Sequence, residues 1–595
     1  MENPGKEVPK WQQVEAKELK ALTVTIFGGV DYMLATQIQH FRTYTARRQN
    51  LTIFGLLWVV IFALYVPAMR AGFVVDFTGW LDQVKNQSFW DFINRKGFSV
   101  KSLYHFTQFV SWVGYQLLGT NTVAWHLLFV SLHALNAALL FRLVEHLCNI
   151  SGVKNGDVIA FVSALFFCIC PHVSEVIVWE PSFHYMLGLL MILGILSLTR
   201  KYVESGKKKY AYWSCLIFLL SVFSLEYFYL TPFFVLSHLL YLQYGVKHTN
   251  KLKQVLLFIV LPMILIMAGR TVLFRIMYND WVSRAGESVF MGEGFTYWIK
   301  PLKYVFHIVF MGRFWPDEAR KAAYHFIEEP TTVYFSYTLI FVLIATYFRQ
   351  FSRLSGKLKL AGLLMLWTGF GAIIVSPMWF PQNMLVLMDR YAYLMLAFCF
   401  PFLAVALSLL QRKVVFTVLM LYGLLNVGLT LKLSRYWYLS ERIIHDMLHE
   451  VPDPGDKIVI LLNTPECFKG VPMIQACTHG EFKLMHDLLL PEKKLKSPIY
   501  EMASFNMESY WDGAHVYVVN DTLLRVTLNQ WGTWWWRDGK GAVDHETEDY
   551  KLYMRDAGHW YDLVLKKPKD HYVIMYLVDG HLKKLNMDGW GWDLY

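Results

Sequence analysis

Charged residues are scarce in this chain. Asp, Glu, Lys and Arg make up 17% of its 595 residues, against about a quarter in a typical soluble domain. With 55% hydrophobic residues and a mean hydropathy of +0.32, an ordinary soluble protein is excluded. Cysteine is sparse too. The seven cysteines form no CxxC pair, and Cys148, Cys168, Cys170, Cys215 and Cys399 lie in or beside apolar runs, where Cys packs as a small hydrophobe. No Gly-rich nucleotide loop occurs in the segments read as cytoplasmic, and no internal repeat suggests the paired halves of a transporter. The first apolar run begins 50 residues in and lacks a small-residue cleavage pattern, so it does not read as a cleavable signal peptide. The net charge of +10 does not point to nucleic acid.

What the chain has is long apolar runs: 51–69, 121–143, 158–170, 185–198, 212–225, 228–244, 255–273, 332–348, 360–379, 391–410 and 414–433. A span needs roughly 20 residues. The runs predict a polytopic α-helical membrane protein with about 11 transmembrane helices. Lys and Arg near span ends mark the cytoplasmic side. Arg42/Arg47/Arg48, Arg200-Lys201 with Lys207–Lys209, Lys247/Lys251/Lys253, Arg349/Arg353/Lys357/Lys359 and Arg412-Lys413 all fall there if the N-terminus is inside. Residues 1–50 then form a cytoplasmic arm and 51–433 the membrane domain. Its long external loops are 70–120 and 274–330, and 434–595 is an external domain. The membrane is read as a bacterial inner membrane and the tail as periplasmic.

The tail alternates shorter apolar segments with polar residues. Lys457–Leu462, His515–Val519, Leu523–Leu528 and His571–Leu577 read as strands, with Asn520-Asp521 and Asp579-Gly580 as turns. An α+β or mainly β domain is expected. Cys467 and Cys477 lie in it, and their spacing leaves a disulfide open.

The external face collects polar groups that a plain bundle does not need. Asp76 and Asp82 follow the first span. His172, Glu175, Glu180 and His184 line the second connection. Arg275, Arg284, Lys300, Lys303, His307, Arg313 and Asp317 lie in the long loop, and Asp389-Arg390-Tyr391 closes the last one. Acids and cations together on one membrane face suit a base meeting an anionic ligand. His172, Glu175 and Asp76 offer an oxygen-and-nitrogen set for a divalent metal, without diagnostic spacing. His126, His133 and Asn136 lie along one span, where interhelical hydrogen bonding is the expected role. The aromatic run 531–536 suits either sugar stacking or a packed core.

Several motifs occur in order: Phe73-x-x-Asp76, Tyr115-Gln-Leu-Leu-Gly-Thr-Asn121, His126 to Asn136, Pro171-His-Val-Ser-Glu-Val-Ile-Val-Trp179 and Asp389-Arg-Tyr-Ala-Tyr393. This arrangement resembles the GT-C superfamily of polytopic glycosyltransferases over about residues 51 to 450. It is most similar to the protein O-mannosyltransferase-like branch, including transmembrane mannosyltransferases with tetratricopeptide repeats, although this tail shows no such repeats. The resemblance implies a transferase that takes a sugar from a polyprenyl-phosphate-linked donor and gives it to an acceptor hydroxyl on a protein, lipid or glycan. It implies Asp76 as catalytic base or acceptor-orienting acid. Many relatives have a second acid directly after it, where this chain has Phe77, so Asp82 is a substitute candidate. Glu175 takes the place of the second-turn acid. Arg390 and Tyr391, with Arg313, His307 and His184, become contacts to the donor phosphate. The alternatives are a transporter or flippase of a lipid-linked saccharide and a non-catalytic membrane scaffold.

Overall fold

The computed structural model describes residues 46–72, 74, 76–94, 102–281, 296–373, 389–474, 481–528, 535–536, 544–556, 560–589 and 591–593. The chain divides into two units, 1–57 and 58–595. The described part of the first is helical and begins the first apolar helix, Ala46–Tyr65. Among the described residues, the second holds the remaining helices and all of the sheet structure.

In its described residues, each of the eleven apolar runs falls mainly on helix. Seven helices among the described residues are long and apolar enough to cross a membrane: Gln49–Arg70, Thr122–Ile150, Glu180–Ser205, Leu252–Tyr278, Pro330–Arg353, Asp389–Leu407 and Arg412–Glu450. An eighth candidate is the pair Gly156–Ile169 and Pro171–Val178, bent by 59°. Pro171 lacks an N–H to continue the first helix, and the bend sits there. The other three runs form Lys208–Val222, Thr231–Leu240 and Gly356–Ile373. The first two are only 15 and 10 residues long, and the third opens with Lys357 and Lys359. This accounts for the difference between the expected eleven spans and the seven or eight that length and composition support. The chain is an integral membrane protein of helical type, because in lipid a helix satisfies its own backbone hydrogen bonds.

The spans differ in setting. Within the apolar window of Glu180–Ser205 and of Asp389–Leu407, 67% of residues are buried by protein, against 6% for Pro330–Arg353 and 11% for Arg412–Glu450. The first two are therefore inner helices, and the last two present apolar surface for lipid. Polar side chains tie the inner helices together. The Tyr393 hydroxyl lies 2.8 Å from His133 Nδ1 and accepts from Asn136 Nδ2 at 3.2 Å. Asn136 also donates to the Met186 carbonyl, and His126 Nε2 lies 3.0 Å from the Val178 carbonyl. These are the interhelical bonds expected of His126, His133 and Asn136.

Arg412–Glu450 is one helix of 39 residues. At 1.5 Å per residue it spans roughly 58 Å, about twice a hydrocarbon core, so its C-terminal half extends beyond the apolar layer. It leads into two sheets. The first is mixed, with β1 (Ile458–Phe468) running parallel to both β3 (Ile499–Met507) and β10 (Tyr572–Val578). The second is antiparallel, in the order β12-β4-β5-β9-β8-β7 (Gly591–Asp593, Ala514–Asn520, Leu523–Leu528, Trp560–Leu565, Tyr550–Arg555, His545–Glu546). Every β1 residue is buried, as a central strand requires. Pro465 within it coincides with a break in register before Cys467, the place where a strand tolerates proline. Asn463 exchanges two hydrogen bonds with the Leu577 backbone, extending the ladder beyond the last paired residues. Ile460, Leu462 and Met502 of one sheet share a core with Val516, Val526 and Leu563 of the other. The Tyr561 hydroxyl donates to the Leu462 carbonyl at 2.6 Å, joining the sheets. Cys467 carries a free thiol that meets Asn506 Oδ1 at 3.1 Å, and burial pushes that thiol up to about 12. Cys477 and residues 531–534 lie outside the described residues.

Candidate functional site

The bend at Pro171 brings two polar clusters together. In the first, the Glu175 carboxylate accepts from the Arg390 backbone N–H at 2.9 Å and pairs with the Arg390 guanidinium. That guanidinium lies over the rings of Trp179, at 4.5 Å, and Tyr391, at 4.8 Å. Arg suits this position because a flat cation can stack and form a fork at once. The Trp179 indole in turn donates to the Val74 carbonyl at 3.3 Å. A continuous path therefore runs from the start of the first loop, through Trp179, to Arg390.

The second cluster centres on Asp389, the residue before Arg390. His307 Nε2 lies 2.8 Å from Asp389 Oδ1. Arg313 Nη1 donates to Asp389 Oδ2 at 2.5 Å, and His172 Nδ1 lies 3.1 Å from the same oxygen. Asp389 and both imidazoles are wholly buried, and Arg313 is 5% exposed. Burial of this kind is tolerated when each charge is paired. His307 and Arg313 reach the site through a tight chain reversal. Met311 adopts the left-handed conformation, with φ 56°. A Cβ on Gly312 would stand 3.0 Å from the Phe306 ring and 3.2 Å from His307 Cα, so a side chain there would crowd the helix end. The tail also contributes. Arg313 Nη2 donates to the Gly470 carbonyl at 3.0 Å. Gly470 and Lys469 both have positive φ, as the turn joining β1 to β2 (Val471–Pro472) needs.

The predicted site residues divide accordingly. Glu175, Arg390 and Tyr391 share the first cluster, and His307, Arg313 and His172 share the second. His184 lies beside Tyr185, which packs edge-on against Tyr391. Asp76 opens the helix Asp76–Asn86, two residues after Val74; its side chain lies outside the described residues, as does Asp317's. Asp82 accepts from Asn86 Nδ2 at 2.7 Å, an exposed bond within one helix turn, and is not drawn into either cluster by any described contact. The connection 380–390 is described only at Asp389 and Arg390.

Sequence reasoning quoted Asp389 only as part of a motif, yet it is the hub. Its signal was available: an acid abutting a cation at the start of an apolar run, where neither is cheap to bury. Tyr324 was missed as well. Its hydroxyl lies 3.5 Å from His307 Nδ1. Glu180 is a third buried acid, 3.7 Å from His126 Nε2, and neither of its oxygens has a hydrogen-bond partner among the described residues.

No known family model matches the chain, and no curated protein matches it.

Proposed function

We propose that the chain is an integral-membrane glycosyltransferase with a GT-C-like bundle of about eleven spans, the shorter helices included. It would move a sugar from a polyprenyl-phosphate-linked donor to an acceptor hydroxyl of a protein, lipid or glycan. In this reading the membrane is a bacterial inner membrane, the N-terminal arm is cytoplasmic, and transfer takes place on the periplasmic side, beneath the tail. The observation that carries the reading is the path Val74–Trp179–Arg390–Glu175. It ties the loop bearing Asp76 to the partly buried Arg390 guanidinium beside a span end.

The chemistry follows. The donor's lipid stays in the bilayer and its phosphate reaches the polar clusters. The acceptor oxygen attacks the anomeric carbon as the bond from that carbon to the phosphate oxygen breaks. The acceptor proton goes to the Asp76 carboxylate, and the phosphate leaves with the bonding electrons. One displacement inverts the anomeric centre. Glu175 and Asp389 orient Arg390 and Arg313, and the two guanidinium charges stabilise the departing phosphate.

The test is direct. Asp76→Asn should abolish release of polyprenyl phosphate from a radiolabelled polyprenyl-phosphate sugar, while the protein still elutes as a monodisperse species. Normal turnover would end the assignment of Asp76. Arg390→Lys keeps the charge and loses the fork; donor affinity should fall roughly tenfold, about 1.4 kcal/mol.

A further inference from the structure

We propose that His172, His307 and Asp389 form a binding site for a divalent transition-metal ion. Three separate elements supply them: the turn Pro171–Val173, the helix Thr296–Val309 and the turn Asp389–Ala392. One ligand atom from each lies within 4.8 Å of the others, and all three residues are buried. Two imidazole nitrogens and one carboxylate oxygen suit zinc, cobalt or manganese; calcium and magnesium prefer all-oxygen sites.

A second observation points the same way. The His172 Nδ1 pairs with Asp389 Oδ2 at 3.1 Å. Its Nε2 has no hydrogen-bond partner among the described residues, although the side chain is wholly buried. A buried imidazole left in that state calls for an explanation, and a metal ion supplies the missing partner. The surroundings match those of metal ligands, which are held from behind by further polar groups. Arg313 holds Asp389, and the Tyr324 hydroxyl lies 3.5 Å from His307 Nδ1. Three protein ligands leave room for an outside oxygen ligand. On the glycosyltransferase reading that ligand is a donor phosphate oxygen, and only this last step rests on that reading. With Arg313 alongside, a divalent ion gives the site a net positive charge, which favours an anion.

The test uses the full chain in detergent, stripped with a chelator and then dialysed against zinc or cobalt chloride. About one bound ion per chain is expected by mass spectrometry of the metal. Cobalt should add visible absorption bands of nitrogen and oxygen coordination. His307→Gln and His172→Ala should each lower occupancy at least tenfold, and His325→Ala, at an exposed imidazole on the helix Asp317–Glu328, should leave it unchanged. Should either site variant fail to fold, the wild-type cobalt spectrum still decides. No stoichiometric ion in the wild type, or occupancy indifferent to both site variants, overturns the proposal. Binding is measured without donor, so a protein that holds the ion but transfers no sugar refutes the glycosyltransferase reading alone. Full transfer by stripped protein refutes the ion's contact with the phosphate and leaves the binding result to stand.

Discussion

Asp389 and Asp562 are both carboxylates surrounded by cations, and they do opposite jobs. Asp389 meets His172, His307 and Arg313 inside the bundle, where none of the four is more than 5% exposed. Asp562 meets Arg525 Nε at 2.8 Å and Arg555 Nε at 3.1 Å on the antiparallel sheet, with both guanidinium groups nearly half exposed. The tail cluster spans neighbouring strands, where cross-strand pairs arise from register alone. Water and salt share its charges, so it contributes little to stability. The bundle cluster has no such sharing. Each of its charges depends on the others, and its members come from distant parts of the chain. A cluster of that kind is expensive to assemble, which is why it reads as functional.

The sharpest way to break the comparison is to delete both hubs. Asp389→Ala leaves Arg313 buried beside two imidazoles without its carboxylate. A loss of about 3–5 kcal/mol is expected, read as a large drop in thermal midpoint in detergent. Asp562→Ala should cost at most about 1 kcal/mol in the same measurement. Equal losses would erase the distinction between the two sites.

A smaller effect comes from the bundle's neutral bonds. Tyr393→Phe removes the hydroxyl that joins His133 and Asn136. A loss of about 0.6–1.7 kcal/mol is expected, less than at Asp389 because no charge is stranded.

Salt gives a finer probe. At 1 M ionic strength the Debye length falls to about 3 Å. The difference between wild type and Asp562→Ala should then shrink toward zero, and the difference at Asp389 should persist.

The smallest expected effect is at Asp549. Lys567 donates to its carboxylate at 2.5 Å and the Tyr500 hydroxyl at 2.6 Å, and these bonds, Lys567 first, hold it below the ordinary carboxylate range. A carboxyl lowered by folding stabilises above its unfolded value, near 3.9, and loses that contribution as pH falls through the folded value. Asp549→Asn should therefore lower tail stability slightly at pH 7 and flatten its acid limb, so that variant and wild type converge as pH falls below about 4. An unaltered acid limb would remove Asp549 from the account.

Much of the architecture was legible in the residues, because it rests on local periodicity. Leu523–Leu528 is a strand with the expected bounds, and Asp579-Gly580, both at positive φ, form the expected turn between β10 and β11 (His581–Lys584). The span count was less so. Lys208–Val222 and Thr231–Leu240 are apolar but short, and hydropathy does not say where a helix ends when the next turn is also apolar.

The site was legible in its parts and not in its pairing. His172, Glu175, His307, Arg313 and Arg390 stood out as polar groups beside apolar runs, which energetic cost alone makes conspicuous. That Glu175 takes Arg390 while Asp389 takes His307, 82 residues away, depends on the bend at Pro171, the reversal at Met311-Gly312 and the approach of Gly470 from the tail. Composition and periodicity dictate helix, strand and the face that is buried, because those follow from backbone geometry and the hydrophobic effect. Which buried charge meets which is decided only by packing, because each unpaired group inside the bundle is penalised until a partner from a distant segment reaches it.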